Sequence, residues 1–214
     1  LYCARQVDEL RTGMPEAAAE AGLLLEMLTP IAKSWPSEWC LEANSLAIQV
    51  MGGYGYTRDF PVEQYWRDNR LNMIHEGTHG IQALDLLGRK VFGTGGKSVQ
   101  MMVARIKEAI DQYAALPEVT PLAVELGKRL EQWGRLTAEL GKAAMANPEE
   151  VGAAASDYLQ VSGYVCLGWC WLAAAGVAAK RIAAGDAEAD FYRAKLVTAQ
   201  HYFDRILPRI DSHA

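Results

Sequence analysis

Apolar residues recur at intervals of three and four along most of the chain, and runs alternating with period two between turn residues are absent. This predicts an all-α protein: one helical bundle, then a second, up-and-down bundle. Gly13 and Pro15 separate a short first helix from a second running through AAAEAGLLLEMLTPIAKSW, where Pro30 should kink it or mark its last turn. Pro36 is expected to begin a third helix, with Glu38 near its positive end, and the pair Gly52 and Gly53 to stop it. The loop GGYGYTRDF follows. Pro61 starts a fourth helix through VEQYWRDNRLNMI, and Glu76, Gly77 and Thr78 interrupt it. Thr78 then caps a fifth helix, HGIQALDLLGRKV, whose Ile81, Leu84, Leu87 and Val91 keep helical spacing.

The stretch FGTGGKS, Phe92 to Ser98, is the chain's glycine-rich linker and sets an expected boundary, with residues 1–92 forming one domain and 93–214 the other. It resembles a phosphate loop only superficially, because Gly93 and Gly96 are too close together and no buried strand precedes them. Four helices are expected beyond it. The first is KSVQMMVARIKEAIDQYAAL; Thr120 and Pro121 open the second, and Asn147, Pro148, Glu149 and Glu150 the third. The fourth, ADFYRAKLVTAQHYFDRIL, ends at Pro208. Trp133, Tyr158, Trp169, Trp171, Phe191 and Tyr202 are too many large apolar groups for a solvated tail, so most should lie in the bundle core.

The longest apolar run, Tyr158 to Ala179, could span a membrane on length alone. The ordinary amphipathic helices flanking it favour a helix buried in a bundle. Net charge is −5, with lysines and arginines scattered rather than gathered, so the footprint of a nucleic-acid binder is missing. Cys3, Cys40, Cys166 and Cys170 lack histidine partners at zinc-ligand spacing and are expected to pack as small hydrophobes in a reducing, cytoplasmic compartment. The opening LYCARQVDEL reads as the middle of a helix with no methionine or targeting segment before it. A fragment of a longer chain is therefore expected.

The chemistry concentrates between Gln49 and Arg89, QVMGGYGYTRDFPVEQYWRDNRLNMIHEGTHGIQALDLLGR. Here Gln49, Gly52, Gly53, Gly55, Tyr56, Pro61, Glu63, Arg67, Asp68, Glu76, Gly77 and Thr78 fall into a register that resembles the last helices of the acyl-CoA dehydrogenases. No one of these residues is specific; a dozen in register over about forty is. The part after the linker also resembles the appended carboxyl-terminal domain of the 3-methylmercaptopropionyl-CoA dehydrogenase-like subgroup, through GIQALDL at Gly80 to Leu86 and the closing FYRAKLVTAQHYFDRILP. Members of that subgroup act on short, branched, sulfur-containing or otherwise unusual acyl-CoA thioesters.

The resemblance implies an FAD-dependent α,β-dehydrogenation of an acyl-CoA. A carboxylate removes the proton next to the thioester carbonyl while hydride leaves the next carbon for the flavin, and Glu76 matches the base. Met73 and Ile74 beside it could supply the apolar walls that raise such a base towards the operating pH. The backbone N–H of Glu76 would bind the thioester oxygen, Gly77 would let the chain turn beside the substrate, and Thr78 would meet the flavin's phosphates or ribityl chain. Gln49, Gly52 and Gly53 match positions that reach the flavin of a neighbouring subunit, which implies a homodimer or homotetramer. An electron-transfer flavoprotein or similar acceptor is the implied redox partner, with no nucleic acid and no membrane span.

Two positions depart from the family pattern. His75 stands where many members have tyrosine, and Gly80 where some carry a flavin-contacting glutamine. Arg67 and Asp68 are expected to form a structural charge pair. Only the carboxyl-terminal helices of the family's three-part active site are represented, so the chain alone is expected to be inactive. The alternative is a non-catalytic helical dimerisation or interaction module.

Overall fold

The computed structural model describes all residues from Leu1 to Ala214, and it contains helices and no strands. In order these are α1 (Tyr2–Thr12), α2 (Pro15–Met51), α3 (Gly53–Tyr56), α4 (Val62–Asn69) with a 3-10 turn at Arg70–Met73, and α5 (His79–Leu84), which widens into a π-helical stretch at Asp85–Phe92. Then come α6 (Lys97–Tyr113), α7 (Thr120–Ala146), α8 (Glu150–Ala183) and α9 (Ala189–His201), which ends through a π-helical stretch at Tyr202–Ile206 and a 3-10 stretch at Leu207–Ser212. The protein is all-α.

The second and third helices expected from the prolines are one continuous helix. α2 runs for 37 residues with Pro30 and Pro36 inside it. Each proline removes a ladder hydrogen bond and crowds the preceding turn, at about 3 kcal/mol. Leu24, Met27, Leu28, Ile31 and Trp35 are buried along the same helix, and burying a large apolar side chain yields about 1.5–3 kcal/mol each. Packing therefore outweighs the breakers. The Ser37 hydroxyl also donates to the Ser34 carbonyl at 2.8 Å, within the turn that Pro36 disturbs.

α8 is the central helix, and it touches α2, α6, α7, α9 and the end of α5. It is long and apolar enough to cross a membrane, and most of that stretch is buried inside the protein. Two of its glycines are seats for aromatic rings. A Cβ at Gly163 would lie 2.0 Å from Cδ1 of Trp35, and one at Gly176 would lie 2.2 Å from Cδ1 of Tyr113. Further along, the buried Tyr202 hydroxyl donates to the Tyr164 carbonyl at 2.7 Å, tying the chain's last helix to α8. Thr137 and Tyr158 share a hydroxyl contact of 2.9 Å between α7 and α8.

Residues on both sides of the 93–96 turn contribute to one hydrophobic cluster that extends from Leu24 to Ile210. Of the aromatic residues assigned to the core, Trp133, Tyr158 and Tyr202 are buried, Trp169 and Trp171 are half-buried, and Phe191 is exposed. Cys166 is buried, but Cys40 and Cys170 are exposed, so packing as small hydrophobes describes only part of the cysteine set. Burial pushes the Cys166 thiol above its ordinary range.

Candidate functional site

Helix formation stops in an orderly way before Glu76. The Ile74 and His75 N–H groups both donate to the Leu71 carbonyl, at 2.9 and 3.1 Å. Glu76 then adopts φ 54°, the one left-handed non-glycine residue in the chain, and Gly77 follows at φ 94°. A left-handed conformation at a residue with a side chain costs about 1–3 kcal/mol and persists only where the surroundings hold it. Two side chains from other elements do so. The Gln82 amide on α5 donates to the Glu76 carbonyl at 2.9 Å, and the Lys33 ammonium on α2 donates to the Gly77 carbonyl.

The consequence lies in what stays free. The Glu76 N–H donates to no acceptor within the chain, and its carboxylate is exposed and unpaired. The expected apolar walls are open here, since Ile74 is 50% exposed and Met73 half-buried. Thr78 stands at the start of α5 as expected, but its hydroxyl makes no capping bond and is likewise exposed. His79, one residue on, keeps both ring nitrogens buried without a partner. Burial, chiefly, holds its pKa below the ordinary 6.5, with Lys33 and Arg70 adding to the effect and Glu38 opposing it.

Gln49, Gly52 and Gly53 occupy a different place. Gly52 ends α2 at φ 58° and ψ −140°, a conformation open to glycine alone. A Cβ at Gly52 or Gly53 would meet nothing within 4 Å, so the backbone there is open to an approaching group. Gln49 lines a groove of about 560 Å³ together with Ser45, Tyr56, Arg58, Trp66 and Arg67. Lys33, against the Glu76 loop, and Gln49 are 16 residues apart on α2, roughly 24 Å at 1.5 Å per residue. Within one chain they belong to two sites.

Arg67 does not pair with Asp68. It reaches Glu63 at 3.5 Å, and Asp68 instead accepts from Gln64 at 3.4 Å, because adjacent helical residues point apart while those four apart share a face. Sequence reasoning missed Lys33, Gln82, Arg58 and Trp66. Of these, Arg58, Trp66 and Gln82 lay within the motif region; nothing in the spacing of Lys33, 44 residues from Gly77, signals its contact. Exposed apolar side chains also gather around both sites, among them Leu46, Val50, Tyr54, Tyr65, Leu71 and Ile81.

Residues 3–91 match the family described as acyl-CoA dehydrogenase, C-terminal domain, and residues 102–214 match that described as acetyl-CoA dehydrogenase C-terminal like. The chain belongs to the acyl-CoA dehydrogenase family. It is 31% identical over 204 residues to the 3-methylmercaptopropionyl-CoA dehydrogenase of Ruegeria pomeroyi, covering 94% of this chain and 34% of that protein. The broad-specificity linear acyl-CoA dehydrogenase FadE5 of Mycobacterium tuberculosis is 28% identical over 87% of this chain and 32% of its own length. The butyryl-CoA dehydrogenase of Syntrophomonas wolfei is 26% identical over 85% of this chain and 30% of its own. The chain thus spans about a third of the length of these relatives.

Proposed function

We propose that this chain is the carboxyl-terminal helical part of a flavin-dependent acyl-CoA dehydrogenase in which Glu76 is the base. The observation that carries this reading is the left-handed Glu76, whose carboxylate is exposed while its N–H has no partner. One residue thereby offers both a proton acceptor and an oxyanion donor. The carboxylate takes the proton from the carbon next to the thioester carbonyl, and the N–H meets the oxygen on which negative charge develops. Gly77, at φ 94°, carries the chain away from the substrate, and the free Thr78 hydroxyl is available to the cofactor.

The donor set fits FAD. Gln49, Arg58 and Arg67, the last paired with Glu63 in the same wall, supply hydrogen bonds and two guanidinium groups in a groove that also holds the aromatic rings of Tyr56 and Trp66, a combination suited to a nucleotide with its phosphates. The open backbone at Gly52 and Gly53 borders it. Bound flavin would supply the hydride acceptor. Because Gln49 and Lys33, which holds the Glu76 loop, lie on separate stretches of α2, this reading has Gln49, Gly52 and Gly53 serving the flavin of a neighbouring subunit in a homodimer or homotetramer. The apolar side chains gathered between Leu46 and Leu84 support such covered surfaces. The substrate is an acyl-CoA thioester, with an electron-transfer flavoprotein or similar carrier as the acceptor, in the cytoplasm. Residues 93–214 form the appended bundle, and the 214-residue chain by itself is inactive.

The test is Glu76→Gln in the full-length enzyme, mixed anaerobically with acyl-CoA. Flavin reduction should slow by about 10²- to 10⁴-fold, with flavin content and acyl-CoA affinity near wild type. Reduction at the normal rate would place the base elsewhere.

A further inference from the structure

Glu76 cannot hold its own conformation. The left-handed region is disfavoured for glutamate, and Gly77, also at positive φ, adds freedom to the chain beside it. The loop's own backbone supplies little restraint, because the N–H groups of Glu76, Gly77 and Thr78 donate to no backbone carbonyl. What fixes the loop are the two peptide carbonyls that follow the two left-handed residues. The Glu76 carbonyl is held by Gln82 Nε2 at 2.9 Å and the Gly77 carbonyl by Lys33 Nζ. Both anchors are backed by buried neighbours: Lys33 lies half-buried in α2 between the buried Ile31 and Ser34, and Gln82 precedes the buried Ala83. The Gln82 amide nitrogen would also stand 2.9 Å from a Cβ at Gly77, so it closes over the turn from the side.

We infer that Lys33 and Gln82 are positioning residues, which clamp the Glu76–Gly77 peptides so that the carboxylate and the N–H of Glu76 face the same substrate carbon and oxygen. The inference rests on the reading of Glu76 as the base. Neither side chain touches substrate; each acts through a backbone carbonyl. Loss of one clamp lets the loop relax towards unstrained φ values, which swings the N–H and the carboxylate together. A misplacement of about 1 Å in such a geometry costs about a hundredfold in rate.

The experiment uses the full-length enzyme carrying Lys33→Met, Lys33→Arg, Gln82→Met or Glu76→Gln. Flavin content and thermal midpoint are measured first, then anaerobic flavin reduction across acyl-CoA concentrations, and exchange of the substrate's α-proton in D2O. Lys33→Met and Gln82→Met should each lower both the limiting reduction rate and α-proton exchange by about tenfold to a hundredfold, with substrate affinity within about twofold and flavin retained. Lys33→Arg, which still donates, should recover most of the loss. If Glu76→Gln is inactive while both methionine variants reduce flavin at the wild-type rate, the clamp is refuted and Glu76 stands as the base. If Glu76→Gln is itself active, both fall. Should Lys33→Met lose flavin, Gln82→Met decides alone: a normal α-proton exchange rate in it overturns the inference.

Discussion

Gly163→Ala adds one methyl group to the face of α8 that receives the Trp35 indole. The new carbon would stand 2.0 Å from Cδ1, 2.3 Å from Cγ and 2.5 Å from Nε1. Carbons in contact keep about 3.5–4.0 Å, so ring and helix must part by roughly 1.5 Å. Trp35 has little room to yield. It is 5% exposed, with the rings of Trp39 and Tyr164 centred 5.3 and 5.5 Å away. Overpacking a core costs about 1–3 kcal/mol, and a clash of this size belongs at about 3. Alanine's advantage over glycine inside a helix returns about 1 kcal/mol. The net loss is about 2 kcal/mol, a midpoint lower by about 4–8 °C for a chain of this length.

The control is the same chemical change with the opposite sign. Gly134 lies within α7 with nothing within 4 Å of its would-be Cβ, so Gly134→Ala should stabilise by about 1 kcal/mol. Urea titration and thermal scans by circular dichroism measure both. Trp35→Leu combined with Gly163→Ala should cost less than the sum of the single changes, because the leucine leaves space for the methyl. If Gly163→Ala matched Gly134→Ala in raising stability, Trp35 would not be seated on Gly163.

Two further expectations concern single side chains. Tyr202→Phe removes the buried donor to the Tyr164 carbonyl and should destabilise by about 1 kcal/mol in the same titration. His79 has a folded-state pKa below its ordinary 6.5, so the unfolded chain takes up the proton first. Its contribution is present above pH 6.5 and is lost as the pH falls from there towards the folded value. Unfolding free energy measured from pH 7.5 to 5 should therefore fall less steeply in His79→Leu than in wild type; an unchanged slope would show that His79 is not kept neutral by burial.

The all-α class and most helix boundaries were legible in the sequence. Helical periodicity and caps are local properties, and the run from Gln49 to Thr78 carries its register in its own residues. What eluded the sequence required partners far along the chain. The prolines at 30 and 36 are breakers locally, yet α2 passes through both because Leu24, Met27, Leu28, Ile31 and Trp35 are buried together. The glycines of α8 look like weakness until Trp35 and Tyr113 are seen lying on Gly163 and Gly176. Arg67 chose Glu63 over its neighbour Asp68 by helical geometry.

The sequence alone determined that the helix breaks at Glu76, Gly77 and Thr78, because the conformational freedom of glycine acts on its own turn. It did not determine that Glu76 is left-handed with a free N–H. That depends on Lys33, 44 residues before Gly77, and on Gln82, six residues after Glu76, reaching the two carbonyls from separate helices. A strained backbone is stabilised only by contacts that the folded chain assembles, and the tertiary structure decides which side chains arrive there.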